Sequence, residues 1–330
     1  MLRPNRYGSS WRWGWRKFGA AILAISIFTT MTACGSTPPS LPTDTSPAGV
    51  HKLLTGTAGQ DFIDSVATYD WPDDGAEAAA VFDWIARDAA STDATTATRA
   101  GQTAQAIANY LSTRGDELLE LSSGWFGLSH QTVGSRNPEL ARSFTESLLP
   151  FLKPLVCDSN GTLGFDLLDP AGCDASVQAA KPMFAVLNTD ERSGRTLTGA
   201  ASTDVDRWVQ SYADGAPTSG ADLAFAGRLL GLASLGAQRS GAPVRSLHDE
   251  VQQAQYVIAT AAIARKQAAM WPEFMVEGRL MSPEEVRTKL GVTRVDEYYG
   301  ALDNLVLAVG AHRAIRDQLR GEYEKVTGHQ

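Results

Sequence analysis

From residue 75 onward apolar positions recur three and four residues apart, and almost no stretch alternates with the two-residue period of a half-buried strand. That spacing predicts helices over roughly 60–69, 74–90, 94–113, 115–122, 137–153, 175–188, 203–213, 219–236, 246–278, 283–289 and 294–326. Capping residues mark several starts: Asn137 before Pro138 and Glu139, Ser219 with Asp222, Ser246 with Asp249, and Ser282 with Pro283 and Glu285. The last is a capping box with proline at the first helical position. In the segment from Ser246, residues Leu247, Val251, Ala254, Ile258, Ala261 and Ala262 share one stripe. This is the expected central packing helix, kinked or ended by Pro272. The fold class is therefore all-α, an irregular multi-helix bundle over residues 49–330.

A shift of 102 residues lays Phe82, Ile85, Asp88, Ile107 and Tyr110 on Phe184, Leu187, Asp190, Val209 and Tyr212. On that match the bundle is two degenerate helical-hairpin halves, with chance agreement among alanine-rich helices as the rival.

The start of the chain has a different pattern. Arg3, Arg6, Arg12, Arg16 and Lys17 precede an apolar run from Phe18 to Phe28, and no acidic residue occurs before Asp44. This is the charged and apolar arrangement of an export signal. A run of about 11 residues falls well short of the roughly 20 that a helix needs to cross a bilayer core. Met31, Thr32, Ala33, Cys34 and Gly35 follow. They resemble the lipobox of bacterial lipoproteins, with Met31 where that family usually has leucine. The resemblance implies that residues 1–33 are a removable signal peptide and that Cys34 carries the lipid. The mature chain is then held on the extracytoplasmic face of the cell membrane by acyl chains rather than by a spanning helix. Residues 34–48, rich in Ser, Thr and Pro, read as a flexible tether.

The formal charge is −8, and loss of the five basic and no acidic groups of residues 1–33 takes it to −13. An acidic body repels nucleic-acid phosphates and anionic headgroups, so nucleic acid is not an expected partner and attachment rests on the lipid. The mature chain keeps Cys157 and Cys173. Outside the cytosol these are expected to form a disulfide, with a pair of buried free thiols as the alternative.

Candidate chemistry is sparse. His51, His130, His248, His312 and His329 show none of the helical spacings of a metal site. Gly127, Leu128, Ser129 and His130 lack the second glycine of a nucleophile elbow and read as a polar loop. Asp88, Asp93, Asp190 and Glu191 fit helix caps and solvated turns better than paired catalytic carboxylates. Glu297, Tyr298 and Tyr299 could line a groove or simply pack on an amphipathic helix. Trp125 and Phe126, between small residues, fit either a core plug under a loop or an exposed anchor, and are the candidate interaction residues. No catalytic residue, metal or cofactor is expected, and the chain does not read as an enzyme.

The segments FDWIARDAASTD, AGQTAQAIANYL, NPELARSFTESLLPFLKPLV and MFAVLNTDERSGRTLTGAA resemble a helical region found in actinobacteria. That region lies beside or within type VII secretion-associated and polymorphic-toxin proteins and is sometimes labelled TPR-repeat-like. The resemblance covers residues 75 to about 325 and rests on apolar helix positions, so it brings helical pairing and no catalytic residue. The 34-residue period of tetratricopeptide repeats is absent. The expected function is a membrane-tethered interaction scaffold for an envelope or secreted protein. A carrier of lipid or another apolar small molecule is the alternative, and a cell-wall hydrolase stands behind both.

Overall fold

The computed structural model describes residues 37–123, 129–160, 162–215, 222–241 and 243–328. Residues 1–33, expected to be an export signal, Cys34, and the pair Trp125 and Phe126 lie outside them. Contacts divide the chain into Met1–Thr37 and Pro38–Gln330, and the second unit holds the helical body. It takes in residues 38–48, where Leu41 packs half-buried against the core.

The first helix, α1 (Pro47–Leu54), lies before every predicted one. Ser46 starts it by accepting a hydrogen bond from the Gly49 amide at 3.2 Å, and Pro47 fills the first position, where no amide proton is needed. Val50 and Leu54 bury its inner face. After it come α2 (Gly59–Thr68), α3 (Ala76–Ala79), α4 (Trp84–Ala89) and α5 (Ala94–Leu118). Asp93 caps α5 through the Thr96 amide at 2.8 Å. The two helices expected over 94–113 and 115–122 form one rod as far as Leu118.

A short antiparallel pair, β1 (Leu121–Ser123) and β2 (Ser129–Gln131), sets Leu121 opposite Gln131. Beyond it lie α6 (Val133–Arg136), α7 (Pro138–Leu148) and α8 (Leu152–Leu155). Asn137 does not cap α7 with its side chain. Its carbonyl oxygen accepts from the Trp71 amide at 3.2 Å, and its Nδ2 donates to Tyr69 O at 2.7 Å, fastening the α2–α3 turn.

Next are α9 (Cys173–Leu187), α10 (Glu191–Asp214), α11 (Asp222–Ser240) and α12 (Leu247–Ala264). The start of α10 precedes the expected 203 because Asp190 caps it through the Ser193 amide at 2.8 Å. The expected helix to 278 stops at Ala264. There Lys266 turns left-handed, with φ at +57°, and the Gln267 amide donates back to Ala262 O at 2.9 Å, closing the helix end.

The β3 (Met275–Val276) and β4 (Arg279–Leu280) hairpin leads to α13 (Pro283–Leu290), started by the expected capping box of Ser282 and Glu285. The single helix expected over 294–326 is α14 (Val295–Ala308), a break around Gly310, then α15 (His312–Ala314), a π-helical turn (Ile315–Arg320) and α16 (Gly321–Thr327).

The fold is all-α, with two small strand pairs among the described residues. Its centre is not α12. The α11 helix packs on α9, α10 and α16, while α5 carries α1, α2, α4 and α9. In the proposed duplication, α4 folds back on α5, but α10 pairs with α11 and barely touches α9. The caps Asp93 and Asp190 stand 97 residues apart rather than the 102 of the sequence match.

A main core runs through α1–α11 and the C-terminal helices. A second, smaller one gathers Phe274, Leu280, Val286, Tyr298 and Leu302. The α12 helix serves both, with Val251, Ala254 and Ile258 in the first and Ala259 and Ala262 in the second.

Candidate functional site

The geometry most suggestive of binding lies along α5. Helices α1 and α2 both pack against it, and the loop between the two remaining cysteines crosses it from the other side. Cys157 and Cys173 are bonded, with an S–S distance of 2.07 Å and Cα atoms 5.8 Å apart, so the loop from 158 to 172 is closed at its base. Phe165 anchors its middle by stacking on Phe151 at 5.0 Å in the core. Asp158, buried at its start, accepts from Trp208 Nε1 at 2.9 Å.

The loop lies so close to α5 that a Cβ on Gly101 would stand 2.0 Å from Leu163 O, and one on Gly164 would stand 2.2 Å from Thr98 O. Two glycines make this backbone-to-backbone crossing possible.

Between α1, α2, α5 and this loop runs an open groove of about 600 Å³. Its lining is unusual in having side-chain amides: Gln60 from α2, and Gln102, Gln105 and Asn109 from α5. The three on α5 are three and four residues apart, so they share a face.

Their orientations follow from their partners. The Asp166 amide donates to Gln105 Oε1 at 2.8 Å, and Gln105 Nε2 donates to Asn109 Oδ1 at 3.1 Å. Among the described residues Asn109 Nδ2 and the Gln102 amide have no hydrogen-bond partner, so they remain available to the groove. Gln60 Nε2 donates to Ala106 O at 3.1 Å, leaving Gln60 Oε1 as an acceptor.

His51 closes one end of the groove, and its tautomer can be deduced. Thr103 spends its only hydroxyl proton on Arg99 O at 2.7 Å, so at its 3.2 Å contact with His51 Nδ1 it can only accept. Nδ1 therefore carries the proton and Nε2 is an acceptor. Burial, helped by the nearby Arg99 charge, pulls the imidazole pKa below its ordinary value and favours this neutral ring.

Gln60 also borders a second hollow of about 320 Å³, lined by Asp61, Asp64, Tyr110, Thr113 and Arg114. Tyr110 donates to Asp64 Oδ1 at 3.0 Å. Burial first, and then the Asp64 charge, pushes the phenol pKa up and keeps it a donor. From Gln102 to Arg114 the two hollows follow about 18 Å of helix, the span of roughly five residues of extended chain.

The residues singled out in the sequence take mostly structural parts. Asp93 and Asp190 are caps, and Asp190 also receives a two-point ion pair from Arg142 at 3.1 Å. Asp88 pairs with Arg87 at 3.0 Å, and Glu191 with Arg195. His130 lies exposed on β2. The Tyr298 hydroxyl is buried and donates to Met281 O at 2.5 Å, so it faces the second core rather than a groove. Among the described residues there is no group of three or more His, Cys, Asp or Glu able to hold a metal, and no helix is long and apolar enough to cross a membrane.

The groove itself escaped sequence reading. Gln102, Gln105 and Asn109 look like an ordinary solvated helix face until α1, which precedes every expected helix, is set opposite them.

Among known families, the TPR repeat domain matches residues 44–84, which span α1, α2 and α3, and the first two of these helices supply one wall of the groove. No curated protein and no solved structure matches the chain. The match supports a TPR-like helical region, placed earlier than the 75–325 of the sequence resemblance and overlapping it only over residues 75–84.

Proposed function

We propose that the chain is a helical interaction scaffold that holds an extended segment of a partner protein in the groove along α5. The observation that carries this reading is the polarity of the lining. Asn109 Nδ2 and Gln102 offer donors, while Gln60 Oε1 and His51 Nε2 offer acceptors, all neutral. A polypeptide backbone presents one donor and one acceptor per residue and is the natural complement of such a surface. A lipid or other apolar ligand would leave these amides desolvated and unpaired, which disfavours a carrier role for this groove. The match of a TPR repeat domain to the segment that supplies the α1–α2 wall adds support, because such repeats generally mediate protein contacts.

Selection of a random peptide library on the purified chain tests the reading. Enriched peptides should lose on the order of tenfold in affinity when Asn109→Ala and Gln102→Ala remove the two donors. Peptides that bind equally well to this double variant would overturn it.

The setting of the scaffold is also a proposal. The signal pattern before Cys34 and its lipobox resemblance support attachment through lipid on the extracytoplasmic face of the membrane. The family resemblance of the helical segments supports a partner among envelope or secreted proteins, in a secretion or toxin context. Cell fractionation of Cys34→Ser tests the anchor: the variant should leave the membrane fraction, and full retention there would sink the assignment.

A further inference from the structure

We infer that a second, independent site at the C-terminal end of the bundle binds a small apolar carboxylate of about the size of one aromatic ring. The site is a pocket of about 160 Å³ between α12, α14 and the π-helical turn. Its floor is Val251 and Ile315, both buried. An apolar cavity of about 150 Å³ is large enough to hold benzene, so the volume fits a single ring.

The mouth carries two guanidinium groups and an imidazole. His312, Arg316 and Arg320 all line it, presented at four-residue intervals by α15 and the π-helical turn. Such turns are rare and frequently occur at functional sites. Arg316 uses Nε and Nη2 on Asp317, at 2.8 and 3.5 Å, which leaves Nη1 free. Among the described residues Arg320 has neither a hydrogen bond nor an ion pair, although the chain has an excess of carboxylates that could have neutralised it.

Asp303 also lines the pocket, but its Oδ1 is occupied. It accepts from Gln255 Nε2 at 2.9 Å and lies 3.9 Å from His312 Nε2. An apolar body capped by one carboxylate satisfies both halves of this site, since the ring meets Val251 and Ile315 while the anion meets a free guanidinium fork. The same chemistry occurs in a free aromatic acid and in the C-terminal phenylalanine of a polypeptide.

Calorimetric titration of the full chain with phenylacetate, its neutral amide phenylacetamide, and a tripeptide ending in phenylalanine tests the site. Phenylacetate or the tripeptide should bind on the order of tenfold more tightly than the amide. The tighter of the two identifies the source. Arg320→Gln should abolish that preference and Arg320→Lys should restore part of it, while Asn109→Ala, in the α5 groove, should leave it unchanged. Arg320 is exposed, so its variants do not threaten folding; Val251→Phe, which fills the floor, should block all three ligands. Equal binding of acid and amide, no binding of any of the three, or full affinity in Arg320→Gln would overturn the assignment.

Discussion

The main bundle and the second core around Phe274 stabilise themselves in opposite ways. Along α5 the bundle gains density by bringing backbone onto backbone, with Gly101 and Gly164 at the crossing and a disulfide fixing the loop that crosses. The second core relies on aromatic bulk: Tyr298 meets Phe274 edge-on at 5.2 Å, and Arg294 sits over the Phe274 ring at 5.5 Å. Its surroundings stay partly uncovered, with Trp271 48% and Leu307 60% exposed. The close crossing also builds one wall of the α5 groove, so in the bundle the same contacts pack the core and shape the proposed binding surface.

The sharpest way to break that contrast is at the crossing itself. Gly101→Val places a branched side chain where even a Cβ would lie 2.0 Å from Leu163 O, and a backbone carbonyl on a closed loop cannot step aside. Destabilisation of about 3 kcal/mol or more is expected, at the upper end of overpacking effects, together with loss of peptide binding. Chemical denaturation measures the first and the selected peptides the second; a stable variant that still binds would mean that the loop does not form the wall.

Reduction of Cys157–Cys173 attacks the same wall from its base. The bond closes a separation of 16 residues, so its loss should cost about 3 kcal/mol in the chain-entropy picture. Phe165 and Asp158 still tie the loop to the core, so the chain should remain folded at moderate temperature. Comparing melting of the reduced and oxidised chain gives the figure, and an unchanged melting temperature would show that these side chains alone hold the loop.

Where the two regions meet, on α12, the structure contains a pH-sensitive contact. Glu250 is 1% exposed, and burial raises its pKa from 4.5 to about 7, against the opposing charge of Arg245 and with added repulsion from Asp206 and Asp249. Arg245 Nε lies 2.7 Å from Glu250 Oε1 but off the line of a hydrogen bond, so the carboxylate is only partly compensated.

The native state then holds a proton that the unfolded state has lost, and stability falls as pH rises from about 4.5 through about 7. Glu250→Gln mimics the protonated form. It should match the parent near pH 5 and exceed it by about 2 kcal/mol near pH 8. Denaturation midpoints across that range decide the matter, and parallel curves for the two proteins would show that Glu250 titrates normally.

How much of this could be read from the sequence depended on whether the deciding signal was local. The Ser246 and Ser282 caps were legible because each lies within three residues of its partner amide. The disulfide was legible because only two cysteines remain once Cys34, read as the lipidated residue, is set aside. Helix ends without glycine or proline were not: α12 stops where Lys266 adopts a left-handed backbone that nothing in its side chain announces. The start of α10 was hidden for the opposite reason, since Ser193, Gly194 and Thr196 read as a turn although Asp190 caps a helix there. The groove was least legible of all. It depends on α1, whose eight residues are too few to show a period, and on a loop that reaches α5 only because of Gly101.

The smallest expected effect asks whether the two regions are one cooperative unit. Gly300 in α14 and Gly199 in α10 are helical glycines with nothing within 4 Å of an added Cβ, unlike Gly101. Alanine at either should stabilise its helix by about 1 kcal/mol, through propensity and a less flexible unfolded chain. If α12, with side chains in both cores, couples them fully, calorimetry will show one transition that rises by about 2 °C for either substitution. If the aromatic core melts on its own, Gly300→Ala will raise only an earlier transition and Gly199→Ala only a later one. One shared transition is the expected result, because the second core is too small to keep α14 folded without the α12 face that the bundle also holds. Two separately shifted transitions would mean that the regions differ in folding as well as in packing.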